Sequence, residues 1–124
     1  MNRGFLTNES FWQTFDALIE KNGINIDRPK GSAHPRFPDL IYPMAYGFIP
    51  NTTSSDRQGI DVFWGDSAFL QVAGVLCTFD EQKLDSETKI LYACTEENIE
   101  TAYNMLNHFP MHAVFMGRTT EVLN

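Results

Sequence analysis

From Ile24 to Ala93 the sequence never settles into a helical period. It breaks into short apolar runs separated by polar turns, and this constrains the fold more than any other feature. Ile24 and Ile26 alternate with Asn25 and Asp27, as on a half-buried strand. Tyr46 to Ile49, Asp61 to Trp64, Leu70 to Thr78 and Thr88 to Ala93 read as further strands, with polar turns at 51–59 and 81–87. Between the first two strands, Pro29, Pro35, Pro38 and Pro43 impose an irregular or edge segment, because proline has no amide hydrogen to give to a ladder.

Helical patterns flank this block. Phe11, Trp12, Phe15, Leu18 and Ile19 share one helix face after a capping Thr7 or Asn8, and Asn22-Gly23 supplies the stop. Thr95 caps a second helix, with Glu96 and Glu97 at the positive end of its dipole and Ile99, Ala102, Tyr103 and Leu106 on its apolar face. Pro110 ends it, and Met111 to Met116 reads as a last strand. Consecutive strands with helices only at the two ends predict an α+β, mainly β fold: a small antiparallel, OB-like β-barrel with two flanking helices. At 124 residues the expectation is one domain, with an N-terminal helix over 1–23, a barrel core over 24–94, and a helix and last strand over 95–124.

Hydrophobic residues make up 43% of the chain, enough for a real core. Nine basic residues against 16 acidic ones leave a net charge of −7, which excludes general binding to a nucleic-acid backbone. An anion can bind such a chain only where local Lys and Arg or bound cations neutralise it. No run of eighteen apolar residues is present to span a bilayer, and Met1 to Ser10 lacks a signal-type apolar region. Cys77 and Cys94, both in apolar stretches, read as reduced thiols of a cytoplasmic protein.

The chemistry-bearing block runs Tyr42-Pro-Met-Ala-Tyr46-Gly-Phe-Ile-Pro50, then Asp56-Arg-Gln-Gly-Ile-Asp61-Val. Two tyrosines precede a polar turn, and two aspartates follow around a glycine. Carboxylates gathered in a poorly solvated turn need a counter-charge, and a hard divalent cation such as Mg²⁺ or Mn²⁺ suits all-oxygen ligands. An isolated D-x4-D is also an ordinary turn motif and decides nothing by itself. Two further clusters accompany it: Asp27-Arg28-Pro29-Lys30-Gly31-Ser32, and Asp80, Asp85, Glu87 and Lys89.

Together these blocks resemble the soluble inorganic pyrophosphatases, whose familiar stretches read E-I-P-K-G-S, Y-P-x-N-Y-G-F-I-P and D-G-D-P-x-D-V. The resemblance covers about Asp27 to Lys89. It implies that Asp56, Asp61, Glu87 or Asp85, and Asp27 hold Mg²⁺ or Mn²⁺, with Asp80 an alternative carboxylate. It implies that Lys30, Lys89, Tyr42 and Tyr46 bind phosphate, with Arg36 or Arg57 replacing an arginine that the family carries ahead of the tyrosines. Tyr46, Gln58 and Asp61 fall at the catalytic centre. Gln58 stands where the family has the middle aspartate of D-x-D-x-x-D, which helps activate the attacking water; an amide orients a water but accepts no proton from it. The implied partner is pyrophosphate or another small phosphoanhydride, with no nucleic acid or membrane, and homo-oligomers occur in the family. Two alternatives stay open: a non-catalytic module that binds metal and phosphate, and a hydrolase of another phosphoanhydride such as a nucleotide.

Overall fold

The computed structural model describes residues 8–54 and 57–118. Helix α1 (Glu9–Asn22) is followed by strands β1 (Asn25–Arg28), β2 (Ala45–Ile49), β3 (Ile60–Trp64), β4 (Val72–Asp80) and β5 (Asp85–Tyr92), then helix α2 (Glu96–Met105) and strand β6 (Met111–Gly117). Asn8 caps α1 by accepting a hydrogen bond from the Phe11 amide; Thr7, the other expected cap, lies outside the described residues. At α2 the side chains of Thr95 and Asn98 cap each other's backbone amides.

The strands form one sheet in the order β1-β2-β3-β5-β4-β6. The mainly β architecture with two helices is as expected, with two corrections. Among the described residues the sheet does not close, so β1 and β6 are its edges. It is also not wholly antiparallel, because β3 and β5 run parallel. The β4–β5 hairpin is tighter than the polar run at 81–87 predicts. Asp80 accepts the Gln82 and Lys83 amides on its side chain and the Leu84 amide on its carbonyl, so β5 begins at Asp85 and takes Glu87 into the ladder.

Alternation along the strands divides the core into two layers. Val62, Val75 and Ile90 pack with Trp12 and Ile19 of α1 on one face. Phe63, Leu76 and Leu91 pack with Met44, Ala102 and Leu106 on the α2 face. Continuing the same alternation, Asp61 falls on the side of Phe63, Lys89 and Glu87 on the side of Leu91, and Thr78 and Asp80 on the side of Leu76. The polar residues of interest thus extend the α2-facing layer beyond the point where its apolar packing stops.

A β-bulge interrupts β1 between Ile26 and Arg28, leaving Asp27 as the extra residue. Gly47, paired with Ile26, makes room for it: a Cβ there would run into the Asn25 carbonyl. Beyond the bulge Arg28 is in register with Tyr46 and shares its face, whereas strict alternation would have kept it on the side of Ile24 and Ile26.

Helix α1 is held to the sheet by Asp16. Its carboxylate accepts the amide of buried Val72 at 2.7 Å and the Arg118 guanidinium at 2.9 Å. Asp16→Ala leaves that amide without its acceptor and is expected to cost about 2 kcal/mol. Urea unfolding checks this, and Asp16→Asn, which keeps an acceptor oxygen, should recover part of the loss.

Candidate active site

At the open end of the α2-facing layer lies a cleft of about 230 Å³. Its floor is organised around one cation. Lys89 is only 6% exposed, and its ammonium donates to the Tyr46 hydroxyl at 2.8 Å, to Asp61 Oδ2 at 2.8 Å and to Glu87 Oε2 at 3.3 Å. An ammonium has three protons, so all its donors are engaged. Burial opposes its charge, but the Tyr46 oxygen and the Asp61 carboxylate outweigh that and raise its pKa above the ordinary lysine value.

The partners are perturbed in turn. Burial raises the Tyr46 pKa, so its hydroxyl keeps its proton. Burial and the adjoining Asp61 carboxylate raise that of Glu87, while Lys89 partly offsets the shift. Above the floor, rings climb toward the proline-rich segment: Phe63 meets Tyr46 at 4.7 Å between centroids, Tyr46 stacks on Tyr42 at 5.3 Å, and Tyr42 on His34 at 6.0 Å. Burial raises the Tyr42 pKa, against the pull of the Arg28 charge. Burial lowers the His34 pKa, helped by Arg28, Arg36 and Lys83. The neutral His34 ring accepts the Arg36 and Phe37 amides on Nδ1.

The sequence model of inorganic pyrophosphatase matches residues 19–116. This chain belongs to the inorganic pyrophosphatase family. Solved structures agree on the fold. The pyrophosphatase of Thermus thermophilus is 18% identical with a TM-score of 0.58, the alignment covering 77% of this chain and 81% of that one. That of Neisseria gonorrhoeae is 20% identical with a TM-score of 0.53, covering 79% and 84%. No curated relative matches the sequence.

Most residues singled out from sequence meet in the cleft of this pyrophosphatase-family chain. Tyr42, Tyr46, Gln58 and Asp61 line it, as do Asp27, Asp85, Glu87 and Lys89. Two expected phosphate-binding residues do not. Lys30 points to another depression beside Asp66, 3.9 Å away, with both side chains largely exposed. Arg36 lies over the Phe37 ring and is not part of the cleft lining. Asp56, the other half of the aspartate pair, lies outside the described residues. Sequence reasoning missed Arg28 and Lys83 as cleft residues. Arg28 was visible in the Asp27–Ser32 turn, but no sequence rule announces the bulge that turns it inward.

The described lining carries five carboxylates, Asp27, Asp61, Asp80, Asp85 and Glu87, against Arg28, Lys83 and Lys89. Asp80 and Asp85 also stand directly opposite each other across β4 and β5, a like-charge pairing that is unfavourable without a counter-ion. This excess of hard oxygen donors fits a divalent cation in charge and donor type. Among the described residues, though, no three Asp, Glu, His or Cys side chains converge into a ready-made metal cage.

Removing the central cation tests this electrostatic arrangement. Lys89→Met leaves two partly buried carboxylates facing one another and is expected to cost about 3 kcal/mol at neutral pH. The Glu87 carboxyl should titrate above 4.5 in the native protein and higher still in Lys89→Met. Because its folded pKa is raised, the stability it contributes is complete below 4.5 and is lost as pH rises through the folded value. Carbon-detected NMR titration of the Glu87 carboxyl reads both shifts, and a value at or below 4.5 in both proteins would contradict them.

Proposed function

We propose that this cleft hydrolyses inorganic pyrophosphate to phosphate with the help of a divalent cation, Mg²⁺ or Mn²⁺. The observation that carries the reading is the buried Lys89–Tyr46–Asp61–Glu87 cluster at the floor of a carboxylate-rich cleft, in a member of the pyrophosphatase family. Cleft size favours an inorganic substrate over a nucleotide. About 230 Å³ is below the roughly 300–1,000 Å³ usual for organic ligands. Apart from the tyrosines, only Met111 among the lining residues has an apolar side chain to receive a base.

In this reading Asp61 and Glu87, joined by Asp56 and Asp85, hold the cation, with Asp27 on the far wall as a further oxygen donor. A divalent ion bound there supplies Lewis-acid polarisation and offsets phosphoryl charge that a chain of net charge −7 would otherwise repel. Lys89 fixes the positions of Asp61, Glu87 and Tyr46 relative to one another. Tyr46, kept protonated, serves as a hydrogen-bond donor. Gln58 orients a water without accepting its proton. Proton acceptance then falls to a carboxylate of the cleft. His34 is less suited, because its Nδ1 is held by two amides and its pKa is lowered. The free thiols Cys77 and Cys94 accord with a reducing, cytoplasmic setting.

Gln58 also favours a second reading, a binding module that retains metal and phosphate without turnover. A phosphate-release assay on pyrophosphate and ATP with added Mg²⁺ separates the two. Wild type should release phosphate from pyrophosphate in preference to ATP. Asp61→Ala should lose metal affinity and at least about two orders of magnitude in turnover, and Gln58→Asp should gain about tenfold or more. Full turnover by Asp61→Ala would contradict the assignment. Metal binding without phosphate release in wild type would favour the module.

A further inference from the structure

The sequence resemblance gives phosphate binding to Lys30, Arg36 and Lys89, and the geometry places none of them as a free cation in the cleft. Lys89 has no proton left to donate. Lys30 and Arg36 are placed outside the cleft lining. Two other cations line the cleft from different directions, and neither makes an ion pair among the described residues. Arg28 comes from the end of β1, re-aimed by the bulge at Asp27. Lys83 comes from the β4–β5 hairpin, where its own amide is held by the Asp80 carboxylate at 3.0 Å. The strand order sets β2 and β3 between these two elements. Both nevertheless line the same cleft.

From this we infer that Arg28 and Lys83 are the specificity-determining clamp of the cleft, gripping the phosphate group remote from Asp61, and that Lys89 makes no contact with phosphate. The inference rests on the pyrophosphatase reading and deepens it. Arg28 has five N–H donors. Among the described residues its guanidinium makes only a long, 3.4 Å approach to the Asp27 carbonyl, so a face of the fork is available to a tetrahedral dianion. Lys83, exposed at the hairpin, supplies a point charge from the other side. Two cations at the mouth and a carboxylate-held cation at the floor demand a ligand with two linked phosphates. A single phosphate engages only one end, so orthophosphate should bind weakly and leave readily.

The test is calorimetric binding of imidodiphosphate, which keeps two linked phosphates but resists cleavage, to the full chain with Mg²⁺ present. Alongside it, KM and kcat are measured for pyrophosphate. Arg28→Gln and Lys83→Gln should each weaken binding and raise KM by about tenfold or more with much less change in kcat. Lys83→Arg should restore affinity. Circular dichroism confirms that each variant is folded, and Lys83, exposed on its hairpin, gives an informative variant even if Arg28→Gln disturbs Tyr42. Unchanged affinity in both Gln variants, with wild type turning over pyrophosphate, would overturn the clamp and leave the hydrolase reading standing. Clamp-dependent binding without wild-type turnover would uphold the clamp and overturn the hydrolase reading. Wild type that binds no imidodiphosphate would overturn both.

Discussion

One buried ammonium ties the candidate site together. Lys89 on β5 reaches Tyr46 on β2 and Asp61 on β3, together with its own neighbour Glu87. Three strands of the sheet are therefore cross-linked by one charge. A buried ion pair is not required for stability, since well-packed apolar residues of the same volume often serve as well or better. What the charge achieves is placement. It allows two carboxylates to lie close to each other under restricted solvation, and it orients a hydroxyl that burial keeps protonated. The aromatic stack from Phe63 through Tyr46 and Tyr42 to His34 extends that order into the proline-rich segment.

The remaining features of the cleft come from departures from regular structure. Regular alternation carries Asp61, Glu87 and Lys89 to one face, but alternation alone would send Arg28 to the other. The bulge at Asp27, admitted by the absent side chain of Gly47, brings both Asp27 and Arg28 to the cleft. At the opposite side the Asp80 carboxylate folds the hairpin back on itself, and the amides of Lys83 and Gln82 hold its pKa low. The Asp80 side chain thus forms the turn that carries Lys83.

How far the sequence carried the reading follows from the same physics. Helix caps and apolar spacing gave both helices and every strand, because each signal is local. The boundary of β5 was less legible: Asp85, Ser86 and Glu87 look like turn residues, and only the Asp80-centred hairpin makes them strand. The open sheet and the parallel β3–β5 pairing were hidden because they depend on how distant segments meet. In the site, Tyr42, Tyr46, Asp61, Glu87 and Lys89 were legible through motif spacing, and their assembly in one cleft follows it. Lys30 was assigned through the resemblance and Arg36 as a stand-in for the family's arginine, and the backbone carries both outside the cleft lining. Arg28 and Lys83 were passed over because a bulge and a side-chain-folded turn, not a motif, direct them.

Divalent-cation-dependent cleavage of a phosphoanhydride is the activity proposed for this cleft. Phosphorus NMR of pyrophosphate mixed with the purified full chain reads that reaction without a coupling enzyme. With Mg²⁺ the pyrophosphate resonance should give way to a single orthophosphate resonance, and a chelator should stop the conversion. A pyrophosphate signal that persists unchanged at saturating Mg²⁺ and stoichiometric protein would contradict it.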